Sequence, residues 1–185
     1  MRERARWPWV VATALCVVAL CDADLVIADS GRVAPPLGAM IASAAHRAGI
    51  PAELLAAVVW VESRRWPWAL NVGGRPIYPR SREAAAAWLR AAGGRADIGL
   101  AQVHYPVWGP VFGLRPEDLL DPWINLQVAA LVLRQAMNQE PRSWGGVGRY
   151  HSVTPWRKWG YARQVATVVR ALRAPARPPD RAPAP

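Results

Sequence analysis

Apolar and small residues recur three and four positions apart from Leu37 to Ala48 (LGAMIASAAHRA), predicting an amphipathic helix that Gly49 stops. Pro51 suits the first turn of a second helix running to about Ser63, so the two helices pack close together. The stretch ALNVGGRPIYP alternates about Gly73-Gly74, the turn signal of a short hairpin and the only convincing β element. SREAAAAWLRAAGG returns to helical spacing, with Ser81 as N-cap and Gly93 as stop. DIGLAQVHYPVWGPVFGL is too punctuated by Gly and Pro for a long helix. DPWINLQVAALVLRQAMNQ is the clearest helix, with Asp121 as N-cap, Pro122 at the first position and Ile124, Val128 and Leu131 on one face. It is expected at the centre of the core. SWGGVGRYHS reads as a Gly-rich turn into a short helical segment, and WGYARQVATVVRAL as a closing amphipathic helix. The fold class is mainly α with a small inserted β-hairpin, and no repeat is visible.

The ends follow other rules. MRERARWPWVVATALCVVALCDA places arginines first, then an apolar run to Leu20, then small residues, the order of a secretory signal. The run is short of the about 20 apolar residues a membrane span needs. The expected organisation is a signal peptide over 1–23, or to 28 if cleavage follows Ala28, a linker over 24–36, one domain over 37–172 and a Pro/Arg-rich disordered tail over 173–185. A retained anchor with Trp7 and Trp9 at the interface is the alternative, and Cys21 sits in a weak lipobox because Leu20 is large for that position. The expected location is the periplasm. Cys16 and Cys21 are the only cysteines, so a cleaved chain has no disulfide and depends on its apolar core.

The 185 residues carry a formal charge of +10, which points toward an anionic partner: nucleic acid, membrane headgroups or acidic wall polymer. Arginine supplies nearly all of it and alanine abounds, the composition GC-rich coding also produces. The arginines are scattered, not massed with aromatics on one helix, which argues against a nucleic-acid partner. His46, His104 and His151 lack metal-ligand spacing and no cysteine joins them, so no metal or other cofactor is expected.

The chemistry concentrates in LLAAVVWVESRRW, residues 54–66. Helical spacing puts Glu62 on the face of Leu55, Val58 and Val59, the apolar stripe. Two readings stand on periodicity alone. Glu62 turns outward at the helix end and pairs with Arg64 or Arg65, or it is held against an apolar wall that raises its pKa toward the range of a general acid.

Further motifs bear on that choice. Glu62-Ser63 resembles the catalytic Glu-Ser helix end of the lytic transglycosylases of the lysozyme-like superfamily. DIGLAQVH is similar to their Gly-Leu-Met-Gln segment through Gly99, Leu100 and Gln102, with Ala101 where methionine is usual. DPWINLQVAALVL resembles their Asp-Pro-x-x-Asn-x-x-x-Ala helix through Asp121, Pro122, Asn125 and Ala129. GRYHS stands where Ala-Tyr-Asn-x-Gly is usual and keeps Tyr150 alone. The inserted hairpin and following helix are similar to those of specialised members that serve secretion, conjugation or pilus machines. The resemblance spans about residues 37–170 with the motifs in order.

The resemblance implies a lysozyme-like fold and a peptidoglycan lytic transglycosylase needing no cofactor. Glu62 would protonate the bond between N-acetylmuramic acid and N-acetylglucosamine, then deprotonate the muramic C6 hydroxyl to close a 1,6-anhydro ring. Ser63 and Gln102 would line the sugar site, and Tyr150 would hydrogen-bond Glu62. Trp66, Trp68, Trp108, Trp144 and Trp156 are expected in loops, where aromatic faces stack on sugars, while most of the eleven tryptophans fill the core. Tyr78 and Trp108 are the cleft candidates. Two alternatives remain: a hydrolytic muramidase with Asp97 as second carboxylate, and a non-catalytic glycan-binding scaffold subunit. Expected partners are peptidoglycan strands and an envelope-spanning machine.

Overall fold

The computed structural model describes residues 35–141 and 143–174. The signal, the lipobox, both cysteines and the tail beyond Ala174 lie outside the described residues. Among these, no helix is long and apolar enough to cross a membrane.

Helix α1 spans Leu37–Ala48 and α2 spans Ala52–Ser63. Gly49 ends α1 in the left-handed conformation, its N–H bonding back to the last turn. A hairpin of β1 (Leu70–Val72) and β2 (Arg75–Ile77) follows, turning at Gly73-Gly74. Helix α3 spans Arg82–Ala91, and the Ser81 hydroxyl accepts from the Ala84 N–H. Strands β3 (Asp97–Ile98) and β4 (Val103–His104) come next, then α4 (Tyr105–Val111) and a 3-10 turn over Pro116–Leu120. Helix α5 spans Pro122–Gln139, α6 spans Trp144–His151 and α7 spans Pro155–Arg173.

The fold is mainly helical with a small antiparallel sheet, as expected, but the sheet is larger than a hairpin. Its four strands run in the order β2-β1-β3-β4. The register aligns Ile77, Leu70, Ile98 and Val103 in one cross-strand row and Pro76, Asn71, Asp97 and His104 in the next. Side chains alternate faces along a strand, so the two rows face opposite ways. Leu70, Ile98 and Val103 are buried in the core, and the other row meets a cleft. Pro76 costs no ladder bond because β2 is an edge strand.

Helix α5 runs through the core, its start fixed by Asp121, whose carboxylate accepts from the N–H groups of Trp123 and Ile124. Its buried side is broader than one stripe. Leu126, Ala129, Ala130 and Leu133 are fully covered, whereas Ile124 and Leu131 are only partly so. The GGVG stretch is helical, not a turn, because Ser143 caps α6 at the Gly145 N–H. A Cβ on Gly148 would lie 2.4 Å from the Lys158 carbonyl oxygen, so glycine lets α6 press against α7.

The expectation that most tryptophans fill the core is overturned. None of the nine described is buried, and Trp60, Trp66, Trp88, Trp144, Trp156 and Trp159 are exposed. Leu, Val and Ala fill the small interior, leaving the broad indoles at its rim, four of them beneath cations: Arg64 over Trp60, Arg47 over Trp123, Arg157 over Trp156 and Lys158 over Trp159. Nor are Trp108, Trp144 and Trp156 in loops; they belong to α4, α6 and α7.

Candidate active site

Helix α2 ends against an unusual backbone. Arg64 and Arg65 both take positive φ, 52° and 70°, a conformation rare outside glycine. The chain reverses there, and the Trp66 indole N–H donates to the Pro79 carbonyl at 2.9 Å, pinning the hairpin's exit beside the helix end. Glu62 is thereby left on the last turn facing the sheet. Leu55, Val58 and Val59 on its face are completely buried. No ion pair to Arg64 or Arg65 forms; the Arg64 guanidinium lies over Trp60 instead.

Glu62 opens into a cleft of about 390 Å³. The polar sheet row supplies one wall through Asn71, Pro76, Asp97 and His104; Trp108 comes from α4, and Tyr150 and His151 from α6. Part of Glu62 meets solvent there, but the carboxyl is hemmed in by protein, and that surrounding governs its proton affinity. Burial pushes its pKa up to about 7, against a smaller downward pull from the Tyr161 hydroxyl and with a further upward push from the Asp97 charge. Tyr161 is buried and its oxygen meets no partner in regular hydrogen-bond geometry, so its pull on Glu62 is that of a nearby dipole and not of a tight bond.

Three motifs converge on one loop. Asn125 is completely buried; its amide donates to the carbonyls of Ile98 at 2.8 Å and Leu119 at 3.0 Å, and its oxygen accepts from the Ala101 N–H at 3.0 Å. The Ser63 hydroxyl donates to the Leu100 carbonyl at 2.7 Å. The Tyr150 hydroxyl donates to the Ala101 carbonyl, also at 2.7 Å. Gly99 is required by the same packing: its φ is 78° and a Cβ would stand 2.3 Å from the Asn125 amide nitrogen. The loop so clamped presents Gln102, whose amide nitrogen donates to the carbonyls of Ala69 and Gly99. Two carbonyl partners fix which end of the amide is nitrogen and leave its oxygen as the free acceptor.

The structure therefore brings Glu62, Gln102, Tyr150, Tyr78 and Trp108 to one cleft, with Tyr78 on its exposed rim. Ser63 is not among them. It is buried and faces the loop, because the residue after Glu62 is turned about 100° from it around the helix axis. Tyr150 likewise spends its hydroxyl proton on Ala101 and not on Glu62. Sequence reasoning missed Tyr161 and the placement of His151. The His151 ring stacks on Tyr161 with centroids 4.8 Å apart and planes 5° off parallel, and burial lowers its pKa, which keeps it neutral beside Glu62. Asp97, opposite His104 in the register, is held by it at 2.7 Å.

A buried carboxyl thus lies beneath a cleft of sugar size, with the clamped loop presenting Gln102 to the same space. The family model described as Transglycosylase SLT domain matches residues 39–160. The chain belongs to this family. Its members are lytic transglycosylases acting on peptidoglycan, on a lysozyme-like helical fold. Neither a curated protein nor a solved structure gave a significant match. The matched span of the SLT domain contains Glu62, the clamped loop and Tyr150, and stops one residue short of Tyr161.

Proposed function

We propose that the chain cleaves the β-1,4 bond between N-acetylmuramic acid and N-acetylglucosamine with formation of a 1,6-anhydro end, using Glu62 as both acid and base. The observation that carries this is the position and proton affinity of Glu62. At an ordinary glutamate pKa of 4.5 about 0.3% of the carboxyl would be protonated at neutral pH; near 7 about half is, so both forms are at hand.

The protonated carboxyl gives its proton to the glycosidic oxygen as the C1–O bond breaks. The substrate's own N-acetyl oxygen holds C1 meanwhile. The Glu62 carboxylate then takes the C6 hydroxyl proton, and that oxygen closes on C1. One bond to C1 is lost and one gained within the glycan, no water is consumed, and Glu62 ends as it began. Gln102 offers its free oxygen to the N-acetyl N–H, while Trp108 and Tyr78 give the sugar rings apolar faces. Tyr150 and Ser63 act through the loop: they fix where Gln102 stands.

A hydrolytic reading has one observation in its favour, since Asp97 lines the same cleft and its charge reaches Glu62. Asp97 held by His104 would then orient a water. The N-terminal sequence supports action in the periplasm, and the hairpin with its following helix supports service to an envelope-spanning machine. Digestion of purified sacculi tests the catalytic reading: Glu62→Gln should release no muropeptides while folding normally, and undiminished release by that variant would sink it.

A further inference from the structure

Glu62 and His151 border a second groove as well as the cleft. This groove, also about 390 Å³, lies along the first turns of α7, where helical spacing sets Trp156, Arg157, Gly160 and Gln164 toward one side. Gly160 contributes no side chain, and a Cβ built there meets nothing within 4 Å, so the groove's floor is open. Trp156 is the most exposed large apolar residue described, at 70%, and the Arg157 guanidinium sits over its ring at 4.9 Å. No carboxylate pairs with Arg157 among the described residues.

The two sides of Glu62 thus differ in charge. The cleft holds a carboxylate, Asp97, hydrogen-bonded to His104; the groove holds a guanidinium on an aromatic platform with no carboxylate beside it among the described residues. A glycan strand whose scissile bond lies at Glu62 must extend both ways from it. Every second sugar of that strand bears a peptide through its lactyl group, and those peptides carry free carboxylates. We propose that the groove along α7 is a subsite for the peptide-bearing side of the strand, in which Trp156 stacks on a sugar and Arg157 pairs with a stem-peptide carboxylate. The inference rests on the glycan-cleaving reading of Glu62 and adds selectivity for peptide-substituted over stripped strands. An arginine lodged on an indole is preorganised for such a pair, because the ring already limits its rotamers.

Binding of the full chain separates this from catalysis. The Glu62→Gln protein is titrated into end-labelled soluble strands that keep their stem peptides after an endopeptidase has cut the cross-links, and into the same strands stripped of peptides by an amidase, with the lactyl carboxylates this exposes capped as methylamides; binding is read by fluorescence anisotropy. It should prefer the peptide-bearing material. Adding Arg157→Gln should weaken binding to the peptide-bearing strands about fivefold, the worth of an exposed ion pair, and leave binding to the stripped and capped strands as it was. Adding Trp156→Ala should weaken both. Equal loss on the two materials with Arg157→Gln, no loss on either, or no preference at the outset would overturn the proposal. Wild-type protein that binds sacculi but releases no product would sink the catalytic reading and leave this comparison to its own result.

Discussion

Replacing Glu62 by glutamine tests the environment of the carboxyl through stability, without any substrate. Folding raises its pKa from 4.5 to about 7, which amounts to about 3 kcal/mol against the ionised form at 1.36 kcal/mol per unit. The unfolded carboxyl gives up its proton near pH 4.5, whereas the folded one keeps it until about 7. Across that window the folded state binds more protons, so this group's contribution is full below 4.5 and is lost as pH rises through 7. Glutamine has the shape of the protonated acid and cannot ionise. Glu62→Gln should therefore match the wild type at pH 4 and exceed it at pH 8 by about 3 kcal/mol, roughly 10 °C in Tm for a domain of this size. Scanning calorimetry of both proteins across pH 4 to 8 measures the gap, and all other titrating groups cancel in the difference. A gap that does not widen with pH, or a variant less stable at pH 8, would refute a buried, unpaired Glu62.

Other substitutions reach the rest of the site. Asn125→Ala strips three buried hydrogen bonds and frees the loop that carries Gln102, so it should cost about 3 kcal/mol in urea unfolding and most of the turnover. Tyr161→Phe removes the dipole that pulls Glu62 downward; the alkaline limb of kcat/KM should move to higher pH, with stability unchanged within about 1 kcal/mol because the hydroxyl lacks a regular partner. Asp97→Asn removes the charge that pushes Glu62 upward, so that limb should move the other way; if Asp97 instead orients a water, turnover is lost at every pH.

The long-range frame was legible because it is written locally. Gly49, Ser81, Asp121 and Pro122 start or stop helices by their own backbone and side-chain chemistry, and the structure uses each at that position. Spacing set Glu62 on the apolar stripe but left open whether it turned outward at the helix end, a choice that only the packing around it decides. Strands β3 and β4 were not legible, since two residues apiece carry no periodicity and become strands only by pairing with β1. The resemblance implied Ser63 in the cleft and Tyr150 bonded to Glu62; Tyr150 does line the cleft, but Ser63 does not, and both hydroxyls are claimed by carbonyls of a loop 37 and 49 positions away. Tyr161 sits in an ordinary amphipathic helix, and nothing in its neighbourhood along the chain signals that α7 packs on α2 beneath Glu62.

The most direct test of Glu62 as sole acid and base is the mass of the products released from sacculi by the wild-type chain, with Glu62→Gln alongside. Intramolecular ring closure leaves 1,6-anhydro ends, each one water lighter than a hydrolytic product, and the variant should release none. Reducing ends from the wild type, or anhydro ends from Glu62→Gln, would contradict it.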